Sequence, residues 1–172
     1  MTSTRRFFLL STAAVVLSFT GCNALLNTAI KAGMAKLMFA CVPEGVEIDT
    51  PDGRVAIESI RAGDSVIGYD GGPVQVMQVH AYSEDPVPVR FYRVSFVGGA
   101  TVNVCDMHRI GGQRARDLRA GISVGGEVVK SIEIYGGVER SYDLLTEDDG
   151  YRIDGIPVNS MILEMAAAAA KR

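Results

Sequence analysis

At 172 residues, 48% of them apolar and 22% charged, the chain has room for one ordinary domain plus a targeting segment, and its composition excludes disorder, collagen and a coiled coil. The formal net charge is -3 with Lys and Arg scattered rather than clustered, which excludes a phosphate-neutralising surface and a nucleic-acid partner. Three cysteines are too few for a disulfide scaffold.

Residues 1–21 read as a secretory signal. Arg5 and Arg6 precede an apolar run from Phe7 to Thr20, and Gly21-Cys22 closes a segment too short and wrongly flanked for an ordinary membrane span. Thr4-Arg5-Arg6-Phe7-Phe8-Leu9 resembles the twin-arginine export motif. Leu17-Ser18-Phe19-Thr20-Gly21-Cys22 resembles a bacterial lipobox, with Phe19 where Leu is usual. That resemblance implies a lipid on Cys22, which would become the mature N-terminus and hold an exported protein at the membrane. A soluble periplasmic protein and an uncleaved signal are the alternatives. Loss of residues 1–21 removes two of the 17 basic side chains and leaves 15 against 20 acidic ones, a mildly acidic surface. Residues 22–40 read as a tether. The stretch 23–40 is rich in Ala, Leu and Met, and suits either a short helix with Lys31 and Lys36 near lipid head groups or a plain linker.

From Cys41 the texture becomes strand-rich. Val46-Glu47-Ile48 alternates and meets the turn signal Thr50-Pro51-Asp52-Gly53, after which Arg54 to Ile57 resumes an extended segment. A second turn, Ile60 to Asp64, leads into Ser65 to Tyr69. Gly71-Gly72-Pro73 breaks the chain before Val74 to Val79, an alternating strand. Phe91 to Val97 and Thr101 to Val104 form two arms around Gly98-Gly99, and strands follow over Glu127 to Tyr135, Arg140 to Leu145 and Tyr151 to Val158, with Asp148-Asp149 as a solvated turn. Many short strands without intervening amphipathic helices predict an all-β sandwich or barrel-like fold. Ile60-Arg61-Ala62-Gly63-Asp64-Ser65-Val66 echoes Leu118-Arg119-Ala120-Gly121-Ile122-Ser123-Val124, as two copies of one β-subdomain would. Ser160 to Ala170 favours helix, and either a capping helix or a disordered tail fits residues 161–172.

A thiol at the first position of a β-domain can attack the carbonyl of the preceding peptide bond and convert an amide to a thioester, given a group to protonate the leaving nitrogen. Cys41 after Ala40 has that position. The chain has two histidines. His108 closes Val104-Cys105-Asp106-Met107-His108, a polar cluster at a strand end, and is the better assistant. His80 follows Val79 at a strand end with no polar cluster around it, and reads as a surface or strand-end residue. Asp106 either orients His108 or caps a turn. Cys105, Asp106 and His108 lack the distant partners of a tetrahedral metal cage, so neither metal nor cofactor is expected. The bland reading of Cys41 is a buried, inert thiol.

The segment opening at Cys41 and running through Ile57-Glu58-Ser59-Ile60-Arg61-Ala62-Gly63-Asp64-Ser65-Val66 resembles the opening block of the hedgehog/intein (Hint) self-processing domain. That block starts with a Cys or Ser nucleophile and carries a Leu-x-x-Gly-Asp-x-Val segment. Cys105-Asp106-Met107-His108 followed by Asp117-Leu118-Arg119-Ala120-Gly121 resembles the second block, Thr-x-x-His before Asp-Leu-x-x-Gly. Tyr142-Asp143-Leu144 and Gly155-Ile156-Pro157-Val158-Asn159-Ser160 resemble the last block. The resemblance implies a pseudo-two-fold Hint fold over residues 41–160, with Cys41 as acyl-shift nucleophile and His108 assisting breakage of the Ala40–Cys41 bond.

The departures bear on the activity. Cys105 stands where Thr is usual, which weakens one hydrogen bond to the scissile peptide. The final His-Asn pair is missing: ungapped, Asn159 takes the place of His and Ser160 that of Asn, whereas a one-residue slip makes Asn159 the cyclising residue with Val158 in place of its histidine. Either way full splicing lacks its acid. Because the resemblance sets Cys105 facing the nucleophile, the two thiols are expected to be able to form a disulfide in an oxidising compartment. The expected function is self-cleavage by an N–S acyl shift, with the chain's own N-terminal segment as substrate and water or an external nucleophile as acceptor. The competing expectation is a membrane-anchored β-domain that acts as a binding or structural module.

Overall fold

The computed structural model describes residues 41–85 and 89–162. The signal segment with Cys22, the tether with Ala40 and the helix expected after Ser160 lie outside the described residues, apart from the turn at Ile162. The described chain is built of short strands: β1 (Val42–Pro43), β2 (Glu47–Thr50), β3 (Gly53–Ala56), β4 (Ser65–Ile67), β5 (Pro73–Ser83), β6 (Phe91–Phe96), β7 (Thr101–Cys105), β8 (Arg109–Ile110), β9 (Gln113–Arg114), β10 (Ser123–Val124), β11 (Glu127–Tyr135), β12 (Arg140–Thr146), β13 (Gly150–Ile153) and β14 (Ile156–Asn159). Pro73 begins β5 rather than breaking the chain before it, and β5 extends through His80 to Ser83. Proline is tolerated there because the first residue of a strand can forgo a ladder hydrogen bond. The stretch Tyr151 to Val158 is two strands, split by Asp154 and Gly155, both at positive φ as a tight hairpin requires.

Among the described residues three sheets have four strands, ordered β1-β12-β5-β4, β7-β6-β11-β10 and β13-β14-β8-β9, and β2-β3 forms a two-stranded one; the first two carry the repeat. They are two versions of one unit, and the repeated sequence marks where they match. A 3-10 turn at Ile57–Ser59 precedes the first copy and another at Ala115–Asp117 precedes the second. Ile60 N donates to Ile57 O at 3.2 Å, as Leu118 N does to Ala115 O. Gly63 N reaches Val76 O at 2.8 Å, and Gly121 N reaches Val129 O at the same distance. Arg61 Nη1 ties the carbonyls of Glu58 and Ile60, while Arg119 Nη1 ties those of Arg116 and Leu118. Gly63 and Gly121 both have positive φ, which explains why the repeat keeps glycine there. The two long strands, β5 and β11, each contain a register shift where the strand bends.

The apolar positions of both units close on one core that includes Ile48, Ile57, Ile60, Val66, Leu118 and Leu144. A separate small cluster of Cys41, Phe91 and Cys105 lies where the edge strands β1 and β7 meet. Cys105 N donates to Cys41 O at 2.8 Å, so the chain just ahead of β1 is stitched to the end of β7. The two thiols thus sit on the seam between the sheets.

Candidate active site

Cys41 and Cys105 are buried, at 0% and 1% exposure, and both are free thiols. The backbone N–H of Cys41 donates to Cys105 Sγ at 3.1 Å. Their sulfurs also share a hydrogen, and the effect on the two thiols is opposite. The hydrogen bond to Cys105, followed by burial, raises the Cys41 thiol well above its ordinary value. The hydrogen bond from Cys41 lowers Cys105, with burial opposing and the backbone N–H groups of Cys41, Met107 and His108 assisting. Cys105 is therefore the thiol of the pair that gives up its proton more readily, because its sulfur collects the donors. Cys41 is held as a thiol.

His108 is wholly buried, and neither ring nitrogen has a hydrogen-bond partner among the described residues. Its backbone holds it: His108 N donates to Cys105 O at 3.2 Å and Ala115 N donates to His108 O at 2.8 Å. The ring meets Tyr151 edge-on at 6.3 Å between centroids. Burial alone drives its pKa down to about 3, so the imidazole is neutral at physiological pH and carries one N–H and one lone pair. Asp106 does not orient it. The Asp106 carboxylate turns to Arg90 at 3.9 Å, near the surface, while its carbonyl accepts Arg116 N at 3.0 Å.

The register of the first sheet brings in residues that the sequence reading had passed over. β1 pairs with β12 as Val42↔Tyr142 and Pro43↔Ser141, and one position back along that ladder Cys41 falls level with Asp143. β12 pairs with β5 as Asp143↔His80 and Ser141↔Tyr82. Because side chains alternate along a strand, one face gathers Cys41, Asp143, Ser141, His80, Tyr82 and Glu84. Asp143 is fully buried and accepts Leu144 N at 2.9 Å, Met161 N at 3.1 Å and the Tyr151 hydroxyl at 3.5 Å. Burial raises its carboxyl well above the usual carboxylate range against those amide donors. Ser141 hydrogen-bonds the Cys41 thiol and donates to Glu84 Oε1. His80 is not an isolated surface residue: its Nδ1 meets the Tyr82 hydroxyl at 2.9 Å within this polar face. Asp143 carried the one available signal, a charged residue inside the strand Tyr142-Asp143-Leu144.

Asn159 lies at the end of β14, level with Gly150 on one side and Arg109 on the other, and its Oδ1 is buried without a partner among the described residues. Ser160 is buried and its Oγ accepts Ile162 N at 3.2 Å. Both sit one or two residues before Met161, whose amide is tied to Asp143. No group of His, Cys, Asp and Glu suited to a metal ion occurs among the described residues. A surface groove of about 730 Å³ runs past Pro43 and Val138 but is lined by neither Cys41 nor His108. The reactive groups lie beneath the surface, out of bulk water.

No family model matches the sequence, and no curated protein matches it. The fold does have solved counterparts. The crystal structure of the MchDnaB-1 intein (N145AA) superposes with a TM-score of 0.58 at 20% identity, over 69% of this chain and 98% of that one. The gp41-1 intein gives 0.59 at 16% identity, over 70% and 98%. The bacterial intein-like domain from Clostridium thermocellum gives 0.59 at 20% identity, over 70% and 97%. The described chain has the Hint fold.

Proposed function

We propose that this Hint-fold chain is a self-processing domain that cleaves itself by an N–S acyl shift at the Ala40–Cys41 bond. One observation carries the reading: the cysteine that opens the fold is buried with its own backbone nitrogen against a second sulfur, and the buried Asp143 lies within its electrostatic reach. A displaced amide nitrogen needs a proton, and the developing oxyanion needs a donor. Burial raises the Asp143 carboxyl, which suits it to donate toward the oxyanion. His108 supplies an N–H that no side chain of the described structure occupies. Water or an external thiol then takes the acyl group from Cys41 Sγ and releases the body from its leader.

Export and a lipid on Cys22 complete the proposal, so that cleavage would free the body from the membrane. Loss of metabolic lipid labelling in Cys22→Ser tests the anchor. The absence of a histidine beside Asn159 restricts the chemistry to the N-terminal bond, since asparagine cyclisation has no evident acid at Val158.

A second reading rests on the Cys41 thiol being held protonated by Cys105 and by burial. Under it the domain no longer reacts and serves as an anchored binding module. Incubation of the full chain with a reductant and either excess thiol or hydroxylamine separates the two. A mass cut between Ala40 and Cys41 that vanishes in Cys41→Ala supports self-cleavage, and an uncut reduced chain supports the module.

A further inference from the structure

Cys105 Sγ touches Cys41 twice. It accepts the Cys41 backbone N–H at 3.1 Å, and it shares a hydrogen with the Cys41 thiol. In an acyl shift a proton must leave one of those two atoms and reach the other, because the attacking sulfur gives up its hydrogen and the departing nitrogen takes one. We propose that Cys105 carries that proton, taking it from Cys41 Sγ and delivering it to Cys41 N. This rests on the acyl-shift reading and adds to it the residue that moves the proton.

The step balances without any further reactant. Cys105 thiolate accepts the Cys41 S–H proton, and the freed Cys41 sulfur attacks the Ala40 carbonyl carbon to form the C–S bond. As the C–N bond breaks, its electron pair stays on Cys41 N and is protonated by the Cys105 S–H. Cys105 returns to thiolate, and the product is a thioester on Cys41 with a free amine. A hydroxyl in the same place can hydrogen-bond the amide, but it has no accessible ionised form with which to take the thiol proton. Cysteine therefore changes the role of the position rather than weakening it.

The surroundings suit a charge that stays on one sulfur while a proton moves. Backbone N–H groups of Cys41, Met107 and His108 point at Cys105 Sγ. The titratable groups around the pair are Asp143 from β12, His80 and Tyr82 from β5, Glu84 just after it, Tyr135 from β11, Tyr151 from β13 and His108 from the segment after β7. Burial raises all three tyrosines and keeps His108 neutral down to about 3, so across neutral pH none of these four changes charge beside the two thiols.

The test uses the full chain with Cys22→Ser, so that the two site thiols are the only ones. Cleavage under reductant is compared for the parent, Cys105→Ser, Cys105→Ala and Cys105→Thr, with the melting temperature of each as a check on folding. The branched threonine suits a strand and keeps a hydroxyl near the amide. A proton carrier predicts a loss of about 100-fold in all three variants, the range for one acid–base group. Thiolate ultraviolet absorbance should also show an ionisation below the ordinary thiol range in the parent that is missing in Cys105→Ser. A parent that cuts while a folded Cys105→Ser or Cys105→Thr cuts within about twofold of it overturns the proton-carrier role alone, since hydrogen bonding would then suffice. A parent that does not cut overturns the acyl-shift reading and this role with it.

Discussion

The amide of Cys41 donates to the sulfur of Cys105 at 3.1 Å, and the amide of Cys105 donates back to the carbonyl of Cys41 at 2.8 Å. Reciprocal bonding of this kind fixes the two residues against each other, once through the backbone and once through the Cys105 sulfur. It gives the pair a redox consequence.

With an external disulfide such as oxidised glutathione as the electron acceptor, the two thiols are expected to join, with loss of about 2 Da, and cleavage is expected to stop until reductant is added. Intact mass with and without reductant reads the bond directly. Two alkylatable thiols persisting after oxidation would count against it.

His108 and Asp143 should pull stability in opposite directions with pH. Above about pH 6.5 both folded and unfolded chains hold His108 neutral; below it the unfolded chain binds a proton that the folded one refuses down to about 3, so acid costs stability. Burial raises the Asp143 carboxyl, so the folded chain holds that proton to higher pH than the unfolded one and there alkali costs stability. On passing from pH 7 to pH 5, His108→Gln should retain about 2 kcal/mol more of its stability than the parent. Asp143→Asn should retain less than the parent. Urea unfolding of the three proteins at the two pH values measures both differences.

Gly111 and Gly112 both have positive φ, yet they should respond unequally to alanine. A Cβ at Gly111 would lie 2.5 Å from Gly125 N, a backbone atom that cannot swing aside, whereas at Gly112 it meets nothing within 4 Å. Gly111→Ala is expected to cost about 3 kcal/mol or prevent folding, and Gly112→Ala about 1 kcal/mol from backbone strain alone. Melting temperatures of the two variants make the comparison.

Arg61 and Arg119 hold the carbonyls of equivalent turns, so their alanine variants should be destabilised alike, by about 1 kcal/mol each. The double variant should lose the sum, because the turns share no partner. Denaturant midpoints of the four proteins test the equivalence of the two units.

Much of the fold was legible because its signals are local. Asp52-Gly53, Gly98-Gly99 and the repeated Arg-Ala-Gly mark turns by backbone need, and alternation marks the strands between them. Cys41, Cys105 and His108 were legible from their place in three ordered motifs. The polar face was not, because it depends on which strands pair. Asp143, Ser141, Tyr82 and Glu84 become neighbours of Cys41 only through ladders that join β1 to β12 and β12 to β5. His80 was misread for the same reason: an alternation that stops at Val79 in sequence continues in the ladder to Ser83. Asp106 and His108 are two apart in sequence, yet Asp106 turns outward to Arg90 while His108 is wholly buried.

The pairing of Val42 with Tyr142 also sets a clock. During synthesis the segment bearing Cys41 leaves the ribosome 100 residues before the strand that must receive it. At about 5–20 residues per second, the first strand waits on the order of 5–20 s for its partner. Until then the cysteine has neither Asp143 nor Ser141 beside it, and the bond at its N-terminal side is an ordinary peptide. Under the proposed acyl shift, the order of translation would delay cleavage until the domain is nearly whole.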